Sequence, residues 1–261
     1  MGQAQKCGGV KHVCEKHSCH TALIKIIDKW LEELDNGNVT AILFLDFKKA
    51  FDTVNHNTIL SKLKLYQCDD HSVKWFSSYL SQKMQKFKLG TTESEYKTVT
   101  FGVLQGFILG PLLFLIYIND LPLTLEYTES DLYADDKTLH LSSKSIVNLN
   151  ICLNKDLDNV NKWCKENDMT INSKKSKCML VGSDRKLVNC NECLCVLSQD
   201  NIALDNVEVK KPLGIHIDKN LSWSIQIDKI CETISTRIYL LKRLKRYLPL
   251  KGLVLFYNSY I

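Results

Sequence analysis

Two adjacent acidic residues, Asp135 and Asp136, constrain the fold of this chain more than any other feature of its sequence. They lie between two short runs that favour β-strands, and this pattern predicts that the pair occupies the tip of a β-hairpin. Burying two carboxylates side by side would bring like charges together and raise their pKa values. A divalent cation removes that conflict, so the pair is a candidate metal-binding element.

A further carboxylate is expected beside this hairpin. Residues 41–45 are all apolar, which is typical of a strand covered on both faces, and the run ends in Asp46. A carboxylate that ends a buried strand beside an acidic hairpin is the arrangement that a two-metal phosphoryl-transfer site requires. Two hard cations there would activate a 3′-hydroxyl and stabilise a departing pyrophosphate.

The composition is that of a soluble globular protein, with 45% hydrophobic and 24% charged residues in a chain of 261. This length allows one large domain or two small ones. No segment reaches the roughly 18–20 apolar residues of a membrane span, so no membrane contact is expected. The net charge of +5 suits a polyanionic partner without proving one. Without an apolar signal segment at its start, the chain is expected inside the cell, in the cytoplasm or the nucleus; its oligomeric state stays open.

The eleven cysteines are expected to be mostly reduced thiols. One group near the start combines cysteines 7, 14 and 19 with histidines 12, 17 and 20, and a second group comprises cysteines 190, 193 and 195. Neither group has the paired spacing of a zinc site. A structural metal-binding protein is therefore only a minor alternative.

The spacing of apolar residues predicts helices and strands along the rest of the chain. Helices are expected near residues 23–34, 57–66, 72–81, 112–118 and 146–164 and from residue 227, and strands near 85–89, 96–100, 178–181 and 213–217. Residues 36–38 should end the first helix, Asp52 should cap the helix that follows it, and Pro249 should interrupt the last one. Helices that alternate with few, mostly antiparallel strands predict an α+β fold with helices on one face of the sheet.

Several motifs resemble those of one enzyme family. Tyr-Ala-Asp-Asp at residues 133–136 and the segment 44–52 resemble the palm motifs of reverse transcriptases. Residues 102–114 and 117–121 resemble the longer motif of non-LTR (LINE-type, Jockey- or CR1-like) retrotransposon polymerases. One such motif alone would be weak evidence for the family, but here several motifs occur in the family's order. The resemblance implies an α+β reverse-transcriptase palm with partial fingers and the start of a helical thumb. The implied domains are a fingers remnant at 1–38, the palm at 39–218 and the thumb start at 219–261.

The resemblance also implies an active site for RNA-directed DNA synthesis. Asp46 and Asp135 would ligate two Mg²⁺ ions (Mn²⁺ is possible), with the backbone carbonyl of Phe47 near one metal. Asp136 would support the catalytic site more than it ligates. The implied partners are an RNA template, a DNA primer and deoxynucleoside triphosphates.

Other residues match motifs that contact the substrates. Phe51 resembles the steric gate that rejects a 2′-hydroxyl, although plain core packing is the alternative. Gln105 and Gly106 resemble the element that borders the nascent base pair. Lys175 resembles the lysine that stabilises the leaving pyrophosphate, with a solvated basic turn as the alternative.

A basic cluster near residue 244 is a candidate nucleic-acid contact. It consists of Lys242, Arg243, Lys245 and Arg246, which could neutralise phosphates of the template–primer duplex. Basic residues also suit the C-terminal end of a helix, which is the simpler explanation. Residues 211–223 resemble the region that holds the primer strand.

Two departures from the family pattern support an inactive alternative. Leu104 replaces the usual proline before the glutamine, and Phe107 replaces the usual serine after the glycine. The segment before residue 16 does not resemble the family's upstream fingers, and the chain ends within the expected thumb. The chain is therefore either a polymerase domain or a degenerate, inactive fragment that at most binds nucleic acid.

Overall fold

The computed structural model describes residues 19–81, 84–103, 109–133, 136–189, 196 and 203–261. In chain order, the elements are α1 (Cys19–Asp35), β1 (Val39–Leu45), α2 (His56–Leu65), α3 (Asp70–Leu80), β2 (Met84–Gln85), β3 (Lys88–Leu89), β4 (Thr92–Glu93), β5 (Lys97–Thr98), α4 (Leu109–Ile118), β6 (Glu129–Tyr133), β7 (Asp136–Ser143), α5 (Ile146–Glu166), β8 (Lys177–Val181), α6 (Asp184–Asn189), β9 (Asp205–Asn206), β10 (Val209–Lys210), β11 (Ile217–Asp218), α7 (Ser224–Leu244) and α8 (Leu250–Tyr260). Short 3₁₀ helices occupy Leu121–Thr124 and Pro212–Gly214.

A five-stranded sheet in the order β6-β7-β1-β8-β9 forms the centre of the fold. Its neighbouring strands are antiparallel, apart from the parallel pair β8 and β9. Every residue of β1 is buried, as its unbroken apolar run predicted. The predicted α+β class is confirmed.

Helices cover both faces of this sheet, whereas the sequence predicted helices on one face. One face carries Leu43 and Leu45 and packs into the main core with residues of α4 and α5. On the other face, α1 contacts β1, and the ring of Trp30 meets the edge of His140, the residue paired with Ile42. The difference arises because α1 has its own apolar stripe, which is buried against the second face.

The ends of two early helices follow local rules. The chain leaves α1 through Gly37, whose φ of 69° is the left-handed conformation that glycine adopts most readily. The cap of α2 is Asn55, whose side chain accepts hydrogen bonds from the backbone N–H groups of Asn57 and Thr58. The predicted cap, Asp52, was wrong because the chain makes a further turn before the helix begins.

The predicted strands at 85–89 and 96–100 form a hairpin of four short pieces. Gln85 pairs with Lys97, whereas Lys88 pairs with Glu93. The two registers differ by one position, so the strand between Glu93 and Lys97 contains one extra residue.

The chain divides into two compact units, one up to Val207 and one from Glu208 to Ile261. In the second unit, β10 and β11 pair antiparallel and precede α7. Pro249 lies immediately before α8, where a proline ends one helix and begins the next. Assignment of the chain to fingers, palm and thumb stays a prediction. Among the described residues, no helix has both the length and the hydropathy that a membrane crossing requires.

Candidate active site

Asp46 lies directly after β1 and is held by a turn far along the chain. The side-chain amide of Asn172 donates a hydrogen bond to Asp46 Oδ2 at 3.0 Å, and the Asn172 backbone N–H donates to the Asp46 carbonyl at 2.8 Å. The backbone N–H of Asp46 donates to Ser176 Oγ at 3.1 Å. The carboxylate is half-buried, and its orientation is fixed by contacts on both sides of the residue.

This turn is the one that contains Lys175. The Lys175 backbone N–H donates to the Asn172 carbonyl, and the Lys175 side chain is exposed. The structure thus brings the lysine-bearing motif against Asp46, as an active site built from both motifs needs. Sequence reasoning missed the contacts of Asn172 and the buried Ser176, because only the lysine was matched to a function.

The acidic hairpin approaches the same end of β1. Tyr133 pairs with Asp136 as the last described pair of β6 and β7, and Lys137 pairs with Leu45, the residue before Asp46. Asp136 is exposed. Asp135 lies outside the described residues, so its distance from Asp46 stays a prediction.

Phe47 continues the strand beyond Asp46. It forms an isolated antiparallel bridge with Ile171, and its buried ring stacks against Trp163 with the centroids 6.3 Å apart. The Asp46 carbonyl accepts a hydrogen bond from the Asn172 backbone N–H. The metal contact of the Phe47 carbonyl stays a prediction.

Phe51, the predicted steric gate, lies in the turn after β1. Its half-buried ring stacks on that of Phe114 in α4 with a centroid distance of 4.5 Å, and its carbonyl accepts a hydrogen bond from the Val103 backbone N–H at 2.8 Å. Gly102 has a φ of 89°, and a Cβ there would lie 3.1 Å from the carbonyl oxygen of Asp52. Only glycine fits this close approach.

The next part of this motif falls outside the described residues. It includes Gln105 and Gly106, together with the two departures Leu104 and Phe107. Of the described residues that flank this segment, Val103 donates to the Phe51 carbonyl and Leu109 begins α4.

A buried polar network joins α2, α4 and α5. The Lys62 ammonium donates to the Tyr117 carbonyl at 2.6 Å and to Asp120 Oδ1 at 2.8 Å, and Trp163 Nε1 donates to the same oxygen at 3.0 Å. Burial lowers the pKa of Lys62, although the hydrogen bond to Asp120 opposes that shift. The Tyr117 hydroxyl donates to the Asn167 carbonyl, and burial raises its pKa. These contacts fix the helices that support the Phe47 and Phe51 turns.

The donor set suits a hard divalent cation. Carboxylate and carbonyl oxygens are the ligands that Mg²⁺ prefers, and Asp46 and the Phe47 carbonyl supply them at the end of β1. Within the described part of the chain, Asn172 is the one hydrogen-bond donor to the Asp46 carboxylate. No group of three or more His, Cys, Asp or Glu side chains among the described residues could hold a metal. Most of the residues of both Cys/His groups lie outside that part.

The second unit presents basic side chains to solvent. Lys242, Arg243, Lys245 and Arg246 are all exposed and lie at the end of α7 and just beyond it. A cleft of about 320 Å³ in the same unit is lined by Lys211, His216, Lys229 and Arg237 among others.

Before α7, the buried Asp218 accepts hydrogen bonds from the backbone N–H groups of residues 220, 222 and 223. Burial raises the pKa of Asp218, but these hydrogen bonds outweigh it and lower the pKa.

Comparisons with known proteins agree with this geometry. The family model described as "Reverse transcriptase (RNA-dependent DNA polymerase)" matches residues 11–217. The chain is 28% identical to the RNA-directed DNA polymerase from mobile element jockey of Drosophila melanogaster, over 85% of this chain and 24% of that protein. It is 27% identical to the probable RNA-directed DNA polymerase from transposon BS of the same fly, over 79% of this chain and 23% of that protein. The chain thus spans about a quarter of the length of these relatives.

Solved structures share the fold. Telomerase from Candida albicans, in complex with a fragment of telomeric RNA, superposes with a TM-score of 0.55 at 15% identity, over 79% of this chain and 34% of that one. Apo telomerase from Candida tropicalis, truncated from its C-terminal domain, gives a TM-score of 0.53 at 13% identity, over 78% of this chain and 39% of that one. The chain belongs to the reverse transcriptase family, and its predicted resemblance to non-LTR retrotransposon polymerases is confirmed.

Proposed function

We propose that this chain is the catalytic part of an RNA-directed DNA polymerase that adds deoxynucleotides to a primer 3′-hydroxyl. The observation that supports this most strongly is the position of Asp46. It ends a fully buried strand, its carboxylate is oriented by Asn172, and the acidic hairpin pairs with the same strand. A carboxylate held this firmly is suited to ligating a metal within a small tolerance of position.

Members of this family generally use divalent metals. Two Mg²⁺ ions would be held by Asp46, Asp135 and the Phe47 carbonyl, with Asp136 in support. When bound, they would act as Lewis acids on the primer hydroxyl and on the triphosphate. Lys175, at the rim of the turn that holds Asp46, would offer a positive charge to the departing pyrophosphate.

The substrate contacts are proposed from the positions around this carboxylate. Phe51 would lie under the sugar of the incoming nucleotide and exclude a 2′-hydroxyl. Its stacking on the fully buried Phe114 supports this, since a gate must resist displacement. Gln105 and Gly106 would border the nascent base pair, because in the sequence they lie between Val103, which donates to the Phe51 carbonyl, and the start of α4.

The proposed partners are an RNA template and a DNA primer. The curated relatives are named as RNA-directed DNA polymerases, and the telomerase of Candida albicans was solved with RNA. In the second unit, Lys242, Arg243, Lys245 and Arg246 would neutralise phosphates independently of sequence. The cleft lined by Lys211, His216, Lys229 and Arg237 would offer further positive charge to a strand.

Primer extension on poly(rA)/oligo(dT) tests this proposal. Asp46→Asn and Asp135→Asn should each abolish dTTP incorporation, because a neutral amide cannot replace a metal-ligating carboxylate. Asp158, which is exposed on α5, provides the matched control, and Asp158→Asn should extend primers as the wild type does. Extension that survives both site substitutions would reject the proposed site.

An inactive, nucleic-acid-binding chain is the second candidate, and the residues Leu104 and Phe107 favour it. A phenylalanine in place of serine would overpack the substrate side of the motif, and such misplacement can cost on the order of 100-fold in rate. The double substitution Leu104→Pro and Phe107→Ser should then raise primer extension. If extension is absent with and without it, while duplex affinity falls with rising salt, the chain binds nucleic acid without catalysis and these two residues are not the cause.

A further inference from the structure

A lysine occupies the core beside the candidate active site. Lys137 lies on β7 opposite Leu45, and only 1% of its surface is exposed. Its ammonium lies 4.4 Å from the ring centroid of Phe47 and 5.3 Å from that of Phe114. The sequence does not indicate this burial, because lysine is almost never fully buried.

The position of Phe114 connects this lysine to the proposed gate. Phe114 is fully buried, with the Lys137 ammonium over its ring and the Phe51 ring stacked on it at 4.5 Å. The three side chains thus form one continuous row from the core to the turn that contains Phe51. Displacement of Phe114 would remove the surface on which Phe51 rests.

The contact of Lys137 with the rings is electrostatic as well as steric. An ammonium is attracted to the negative face of an aromatic ring, and this attraction is stronger where water is excluded. An aliphatic side chain of equal volume would fill the space without this preference for the ring face. The lysine therefore favours particular ring orientations in Phe47 and Phe114.

We propose that Lys137 is a positioning residue that braces Phe114 and, through it, the gate Phe51, and so sets the discrimination between deoxyribonucleotides and ribonucleotides. This inference rests on the proposed polymerase function. Lys137 need not touch the nucleotide. Its effect is transmitted by the stack of two rings.

The test compares dTTP with UTP on poly(rA)/oligo(dT). Lys137→Ala should lower the ratio of kcat/KM for dTTP to kcat/KM for UTP by about ten-fold, mainly because kcat/KM for UTP rises. Leu139→Ala is the matched control, because Leu139 is fully buried two residues further along the same strand. It should lose similar stability and keep the ratio. An unchanged ratio in Lys137→Ala, or an equal loss in the control, would overturn the inference.

A double substitution tests transmission through the gate. Phe51→Ala should itself lower the ratio, and Lys137→Ala should lower it no further in that background. A further additive fall would show that Lys137 acts by another route and would overturn the inference. If Lys137→Ala does not fold, Lys137→Met replaces it, because methionine fills the same space without the attraction of an ammonium to the ring and should give the same loss.

A spectroscopic measurement separates this inference from the proposed function. With 4-fluorophenylalanine in place of phenylalanine, the Phe51 resonance is identified by its loss in Phe51→Leu. Lys137→Ala should shift this ¹⁹F resonance, and Leu139→Ala should leave it in place. Absent dTTP incorporation by the wild type would reject the polymerase proposal alone, whereas an unmoved Phe51 resonance would reject the brace alone.

Discussion

The side-chain amide of Asn172 donates a hydrogen bond to Oδ2 of Asp46 at 3.0 Å, although 126 residues separate them in the chain. This contact joins the end of β1 to the turn that contains Lys175. It also fixes the carboxylate in one orientation, since the backbone of Asn172 is bonded to the Asp46 carbonyl as well. Asp46 is thus positioned by a turn that lies far along the same unit.

Loss of this amide should impair catalysis more than folding. In Asn172→Ala, primer extension should fall by about ten-fold or more, because a hydrogen bond to a charged group contributes roughly 1.5–3 kcal/mol. Steady-state kinetics with dTTP provide the measurement. Asn148→Ala, at an exposed position on α5, is the control and should retain full activity. Equal activity of the two variants would show that the amide does not position Asp46.

The buried network around Lys62 should stabilise the first unit. Lys62→Met removes the ammonium that bonds to the Tyr117 carbonyl and to Asp120, and should lower the free energy of unfolding by roughly 2 kcal/mol. Urea denaturation measures this change. Lys64→Met lies on the same helix at an exposed position and should change stability by less than about 0.5 kcal/mol. The expectation is wrong if the two variants have the same urea midpoint.

Stability should fall in alkaline solution because of a buried thiol. Burial raises the pKa of Cys164 from 9.0 to about 12, although the positive charge of Lys137 opposes the shift. Because the folded state holds this proton more tightly than the unfolded state, the stabilisation is complete below pH 9 and is lost as the pH rises towards 12. Cys164→Ala should therefore lose less unfolding free energy than the wild type as the pH rises from 9.0 to about 12.

The exposed Cys231 supplies the comparison for this pH effect. Cys231→Ala should follow the wild-type pH profile, because this side chain is already exposed to solvent in the folded state. Identical alkaline profiles for Cys164→Ala and the wild type would show that the thiol is not shielded from solvent.

Phosphate contacts in the second unit should appear as salt dependence. The double substitution Lys242→Gln and Lys245→Gln should reduce the slope of log affinity against log salt by about 0.7–0.9 for each phosphate that is no longer neutralised. Binding of a fluorescent RNA–DNA duplex between low and moderate salt measures it. Lys64→Gln with Lys165→Gln removes two exposed charges from the first unit and should leave the slope unchanged. Equal slopes in both double variants would place the nucleic acid elsewhere.

The sequence predicted the elements that have strong local patterns. The apolar run before Asp46 appears as β1, and the apolar periodicity after residue 145 appears as α5. The two β-favouring runs that flank the acidic pair appear as the antiparallel strands β6 and β7, and Asp136 is the first residue of β7. These features depend on near neighbours in the chain, which a single sequence reports directly.

Features that depend on distant contacts were not predictable in the same way. Asn172 and Ser176 act on Asp46 through hydrogen bonds whose partners lie 126 and 130 residues away. From its residue type, Lys137 is expected at the surface. Its burial follows only from the packing of β7 beneath two aromatic rings. The apolar periodicity of α1 predicted the helix, whereas the face of the sheet against which α1 packs depends on its distant contacts with β1.

Manganese bound in a crystal of this chain tests the central claim most directly. Anomalous scattering after a Mn²⁺ soak with template–primer and dTTP should show a metal at about 2.0–2.2 Å from carboxylate oxygens of both Asp46 and Asp135, with a second ion about 3.5–4 Å away. A site shared by the two carboxylates would support the account. Manganese bound elsewhere, or carboxylate oxygens of these two residues more than about 8 Å apart, would contradict it, because one ion pair could not bridge them.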